Sequence, residues 1–345
     1  MENTPVTIQQ AIERFLKTIS LARSEKTAET YGFALLAYKS LLADIKIDVE
    51  TAPISSLKEE TVGGFAAWLK GHAPATERLY LQATLGFFEF LAAENLSAPN
   101  LPHLRLLIRQ RSRRTGQRLP QFPREDIEKV LEYIQLAPLP HPEAEPVLDD
   151  ERRKLSDISE TEKLRLLRDC AFLVVLADTG LRVNEACNLR RGDIDWNEGR
   201  AIIIGKGDKQ AVIRFSSRSL KAMKEYLAAR SKLDGSSGKP LGSLPLFARH
   251  DKGAGKKIKG ITTATGRNIV DERVREALGQ EAEGKITPHS FRHYFVTTVL
   301  RGSGNLKLAQ ELARHSNITV TQRYAHISDD ELDRGYLEIF DPPPP

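Results

Sequence analysis

Thr287-Pro288-His289-Ser290-Phe291-Arg292-His293 opens the stretch on which the reading of this chain turns; Ala313-Arg314-His315-Ser316-Asn317 and Gln322-Arg323-Tyr324-Ala325-His326 continue it. A threonine ahead of a proline suits a helix start, with Thr287 as the cap and Pro288 in the first turn. At about 100° per residue, His289, Arg292 and His293 share one face, while Phe291, Tyr294, Phe295 and Thr298 lie roughly opposite. Gly302-Ser303-Gly304-Asn305 breaks this helix, and a second fits Leu306 to Arg314 with Leu308, Leu312 and Ala313 on its buried side. Ser316 or Asn317 can cap a short third helix carrying Tyr324. Two histidines, an arginine and a tyrosine are thereby expected in one place.

Those residue types suit one reaction. A phenol attacking a phosphodiester needs positive charge on the non-bridging oxygens and a proton for the leaving oxygen. Arginine meets the planar, bidentate demand of phosphate, and histidine donates hydrogen bonds near neutral pH. With arginines carrying the charge, no metal and no cofactor is expected. His289 and His293 invite a zinc reading, but Ser290 stands where a zincin has Glu, and no third ligand is evident.

His289-x-x-Arg292, His315 and Tyr324, separated by 3, 23 and 9 residues, resemble the second box of the tyrosine recombinase (phage integrase, Xer-like) family. Thr179-Gly180-Leu181-Arg182-Val183-Asn184-Glu185 is similar to its first box, and Ile204-Gly205-Lys206-Gly207-Asp208-Lys209 to its lysine hairpin. Together the resemblance covers roughly Phe122 to Phe340. There is one departure: the family usually has glycine before this histidine, where this chain has Arg314. The resemblance implies that Arg182 and Arg292 bind the scissile phosphate, with Glu185 supporting Arg182. It puts Lys206, ahead of its competitor Lys209, as the acid for the leaving oxygen. His289 and His315 would hydrogen-bond the non-bridging oxygens or assist proton transfer, His293 would be structural, and Tyr324 would be the nucleophile.

The implied function is site-specific recombination through a 3′-phosphotyrosyl intermediate and a Holliday junction, in integration, excision or resolution of a mobile element or of chromosome dimers. The implied partner is double-stranded DNA carrying specific recombination sites. A homotetramer would assemble on it and exchange its C-terminal segment between protomers. The rival readings are type IB topoisomerase-like DNA relaxation, a catalytically idle DNA-binding protein and a metallo-nuclease.

At 345 residues the chain is long enough for two cores. Its net charge of +5 makes a polyanionic partner plausible without compelling it. Cys170 and Cys187 sit in apolar, helix-like surroundings and read as reduced core residues. No apolar run approaches the roughly 18 residues of a membrane span, and acidic Glu2 and Glu13 argue against a secretory signal. A cytoplasmic, nucleoid-associated protein is expected.

The fold class expected is mainly α with a small antiparallel β-sheet. Before residue 100, helical stripes begin behind cap candidates Thr7 and Thr27 and recur over Lys58 to Leu69 and Thr76 to Glu94. They suggest an N-terminal helical bundle, residues 1–104, which resembles the family's SAM-like core-binding, DNA-binding domain. Residues 105–122 read as a flexible linker whose Arg105, Arg109, Arg111, Arg113, Arg114 and Arg118 would neutralise DNA phosphates. Residues 123–345 read as a mixed α/β catalytic domain. It would hold an insertion at 138–162, a strongly apolar helix over Leu164 to Ala177, and three short strands near 193–196, 200–204 and 211–215.

Overall fold

The computed structural model describes residues 6–23, 25–113, 123–136, 159–204, 210–251 and 257–315. The chain forms two compact units, Met1–Arg118 and Leu119–Pro345.

In the first unit, Thr7 starts α1 (Ile8–Ala22) through a reciprocal cap. Its Oγ1 accepts from the Gln10 amide at 3.2 Å, and its own amide donates to Gln10 Oε1 at 3.2 Å. Helices α2 (Glu25–Asp44), α3 (Glu60–Trp68) and α4 (Pro74–Ala93) follow. Helix α2 starts at Glu25, so Thr27 lies inside the helix instead of capping it. Phe15, Tyr38, Phe65, Phe87 and Phe88 fill the shared core.

The arginine-rich stretch differs from its expectation. Leu101–Arg111 is a helix, α5, capped by Asn100, whose side chain accepts from the His103 amide at 3.0 Å. Leu104 and Leu107 are buried against α3 and α4, so Arg105, Arg109 and Arg111 belong to a folded element and not to a flexible linker. Arg105 Nη2 pairs with Glu89 at 2.6 Å. Arg113 Nε donates to Glu77 at 2.6 Å and its amide to the same carboxylate at 2.9 Å. Glu77 is fully buried, and Lys70 completes its compensation at 3.1 Å. A buried carboxylate needs such partners, so Arg113 closes the helical unit. Arg114 and Arg118 lie outside the described residues.

The second unit contains α6 (Arg124–Leu136), α7 (Glu160–Thr179) and α8 (Val183–Asn188), then β1 (Ile194–Asp195), β2 (Arg200–Ile204) and β3 (Gln210–Arg214). Helices α9 (Ser217–Ala229), α10 (Ser231–Gly235), α11 (Thr263–Leu278), α12 (Pro288–Ser303) and α13 (Leu306–Ala313) follow. Helix α7 is buried almost all round from Ala171 to Ala177 and packs on α6, α9 and α12. This central apolar helix is the post on which the site elements hang. The strands form an antiparallel sheet in the order β1-β2-β3, with Ala201 opposite Ile213 and Ile203 opposite Ala211. Ala201, Ile203 and Ile213 face the core; Ile202, Ile204 and Val212 alternate outward, as a pleated strand requires. The mainly helical class with one small antiparallel sheet is thus what the residues form. The hairpin tip, residues 205–209, and most of the 138–162 insertion lie outside the described residues.

Candidate active site

The turn between α7 and α8 is the site's base. Gly180 ends α7 in the left-handed region, φ 59°, where a side chain is disfavoured. A β-carbon there would also run into the Phe295 ring of α12. Glycine therefore does two things: it turns the chain, and it lets α12 approach closely enough to deliver Arg292.

Arg182 caps α8 two residues later. Its Nη1 donates to Glu185 Oε1 at 2.9 Å, and its amide donates to Glu185 Oε2 at 2.9 Å. The expected Arg182–Glu185 partnership is present, but Arg182 is not buried: its side chain is half exposed, while Glu185 is 9% exposed. The carboxylate is the fixed member and the guanidinium the presented one.

On α12, Thr287 forms the expected cap with Ser290, and Pro288 occupies the first turn. Arg292 is 4% exposed. Its Nη1 donates to the Gly180 carbonyl and its Nη2 to the Ala313 carbonyl, so one guanidinium ties together the ends of α7 and α13. Phe291 and Tyr294 anchor the opposite face. Thr298 is exposed, and Val296 and Thr297 take the buried positions instead, Val296 packing on Ala309 and Ala313 of α13. On α13 the buried residues are Ala309 and Ala313; Leu308 is 41% exposed, contrary to expectation. Small residues are needed there because α12 and α13 pack closely.

His315 follows α13, its amide donating to the Gln310 carbonyl at 3.1 Å while Gln310 Nε2 donates to the His315 carbonyl at 3.1 Å. The His289 and His293 rings meet edge-on with centroids 4.2 Å apart. Burial holds His315 at about 4, aided by Arg292, Arg182, His289 and Arg314. Burial likewise lowers His293 to about 4, with His289, Arg292 and His315 adding to it, and it lowers His289 beside Arg292 and Arg182. These mutual influences place Arg182, Arg292, His289 and His315 in one electrostatic neighbourhood. Lys206, Lys209 and Tyr324 lie outside the described residues.

A pH dependence follows from these histidines. Unfolded, each binds a proton near 6.5; folded, His293 and His315 do so near 4. The unfolded chain therefore holds more protons between those values, so stability is fully present above about 6.5, falls as pH drops, and levels off near 4. Denaturant titrations of the full chain at stepped pH are expected to show this slope, and His293→Gln is expected to make it shallower.

Sequence reading missed two participants. Asp178 accepts from Arg218 Nε at 2.7 Å and from Ser216 Oγ, tying the start of α9 to the Gly180 turn. Arg314 is the other: its Nη2 lies 3.1 Å from Glu185 Oε2 and 3.3 Å from the Gly180 carbonyl. The absent glycine before His315 was the available signal for it. The buried Cys187 and half-buried Cys170 are free thiols, and burial pushes both up to about 12. Among the described residues no helix is long and apolar enough to cross a membrane.

Comparison with known proteins adds to this geometry. The profile described as the phage integrase family matches residues 147–331. The chain is 34% identical over 192 residues to tyrosine recombinase XerC of Pelobacter propionicus, covering 56% of this chain and 57% of that protein. That match spans little more than half of the relative's length. Tyrosine recombinase XerC of Myxococcus xanthus is 27% identical over 307 residues, covering 86% of this chain and 89% of its own. The XerH site-specific recombinase bound to difH substrate, a pre-cleavage complex, superposes with a TM-score of 0.64 at 21% identity. That superposition covers 98% of this chain and 86% of the XerH chain, a likeness of fold.

Proposed function

The chain belongs to the phage integrase family, and on that premise we propose that it is a site-specific DNA recombinase that breaks and rejoins strands through a 3′-phosphotyrosyl bond. The observation that carries this reading is that Arg292 and Arg314 meet at the Gly180 carbonyl, with Arg182 held beside them by Glu185 and with His289 and His315 within electrostatic reach of Arg182 and Arg292. Two guanidiniums and two imidazoles answer the charge of a phosphodiester whose equatorial oxygens grow more negative in the transition state. An arriving phosphate raises the histidines from their depressed values, so they donate hydrogen bonds when DNA is present.

Tyr324 attacks the phosphorus, its hydroxyl proton passing to His289 or His315 and its oxygen forming the new P–O bond while the bond to the 5′ oxygen breaks. Lys206 gives that oxygen its proton. The ester to tyrosine stores the energy of the broken phosphodiester, so religation draws on no ATP, and the arginines stand where a metal would otherwise be required. Double-stranded DNA is the partner. Unit 1 is the core-binding domain and unit 2 the catalytic one. Four protomers exchange strands through a Holliday junction, passing their C-terminal segments to neighbours, and the setting is the cytoplasm. The curated relatives carry the name tyrosine recombinase, and XerH was captured on a DNA substrate, which supports this reading.

The test uses duplexes nicked near the cleavage position, made from sites footprinted in DNA flanking the gene. The intact chain should become covalently attached at a 3′ end and survive denaturation. Absence of any attached DNA overturns the proposal; attachment with relaxation of supercoiled DNA lacking a site points to a topoisomerase.

A further inference from the structure

Arg314 occupies a backbone conformation that penalises it. At φ 58°, ψ 43° it is one of three non-glycine residues with positive φ among the described residues, and glycine would adopt this geometry without strain. Yet the side chain is not an idle surface arginine: it is 13% exposed, and its Nε is buried without a hydrogen-bond partner. What holds it there is Glu185. The carboxylate gives Oε1 to Arg182 Nη1 at 2.9 Å, while Oε2 takes both the Arg182 amide at 2.9 Å and Arg314 Nη2 at 3.1 Å. The same Nη2 reaches the Gly180 carbonyl at 3.3 Å, which also accepts from Arg292 Nη1.

We propose that Arg314 is a positioning residue that sets the two phosphate-binding arginines in register: it locks the Glu185 carboxylate that aims Arg182 to the carbonyl that seats Arg292. This rests on the recombinase reading of the site. Arg182 is half exposed and its guanidinium hangs on Oε1. Without Arg314, Oε2 would keep only the Arg182 amide, and the less constrained carboxylate would let the Arg182 guanidinium turn with it. Three guanidiniums against one carboxylate also leave the site with a net positive charge for an anion to neutralise. Burial and the nearby Arg182 oppose the charge on Arg314, and Glu185 sustains it.

The experiment compares the full chain with Arg314→Gly, Arg314→Lys, Glu185→Gln and the double variant Arg314→Gly/Glu185→Gln, on the nicked duplex described above. Arg314→Gly should fold, since glycine suits the left-handed backbone. Its covalent attachment rate at saturating protein should fall about tenfold with duplex affinity changed by less than about twofold, the pattern of a lost transition-state interaction. Arg314→Lys, which restores a cation to Glu185, should recover part of the loss. Because Arg314 acts through the carboxylate, the double variant should be no slower than Glu185→Gln alone. A Gly variant that attaches DNA at the parent rate overturns the proposal and leaves the recombinase reading intact; so does a double variant whose losses multiply. Absence of attachment by the parent chain overturns both.

Discussion

Tyr324→Phe is expected to bind its duplex with unchanged affinity and to form no covalent DNA adduct. The substitution removes one oxygen and nothing else, so packing and charge are preserved while the attacking atom is gone. The loss should reach the background of the assay, roughly four orders of magnitude or more, as when a nucleophile is deleted from an otherwise intact site. Two other tyrosines of the second unit are occupied elsewhere. Tyr226 is fully buried, its hydroxyl 2.7 Å from His250 Nε2 and receiving the Ala248 amide at 3.1 Å. Tyr294 is 7% exposed on the anchoring face of α12. Tyr226→Phe should therefore still attach DNA. Mass spectrometry of the trapped peptide checks the assignment directly: DNA on a peptide other than the one holding Tyr324 refutes it.

Arg292→Ala should damage both stability and chemistry, and Arg292→Lys should separate the two. The guanidinium bridges the Gly180 and Ala313 carbonyls from a position 4% exposed. Truncation strands the Ala313 carbonyl, leaves the Gly180 carbonyl only its 3.3 Å bond from Arg314, and opens a cavity, a cost of about 3 kcal/mol. Lysine keeps a charge but carries one nitrogen on a flexible stem, and it cannot span two carbonyls and a phosphate as a planar fork with five N–H donors can. Arg292→Lys should lose about 1–2 kcal/mol and about 100- to 1,000-fold in attachment rate, the range for removing one preorganised donor. Urea melts of the full chain and single-turnover attachment measure the two losses separately. A lysine variant with parent-like attachment would show that Arg292 only braces the fold.

Much of this site was legible because it is written in short-range chemistry. The Thr287 cap, Pro288 in the first turn, the glycine break near 304 and the Arg182–Glu185 pair each involve residues within a few positions of one another. The α5 helix was legible too, through Asn100 as a cap and Leu101, Leu104, Leu107 and Ile108 at helical spacing, but the dense arginines drew attention to charge and away from period. Leu308 misled in the opposite sense. An amphipathic stripe says which face is apolar, not how near the neighbouring helix will come, and α12 comes close enough to α13 that alanine is what fits.

By itself, the sequence determined the helix starts at Thr7 and Thr287, the β2–β3 pairing and the family's boxes, because these depend on neighbours along the chain or on spacing alone. Only the tertiary structure decided that Arg292 is buried and Arg182 presented, that Arg314 accepts a left-handed backbone to reach Glu185, and that Arg168, Asp169 and Arg273 form a buried ion cluster. A charge in a string of letters carries no burial. Its partners are chosen when distant segments, 134 residues apart between Arg314 and Gly180, are folded into hydrogen-bonding range.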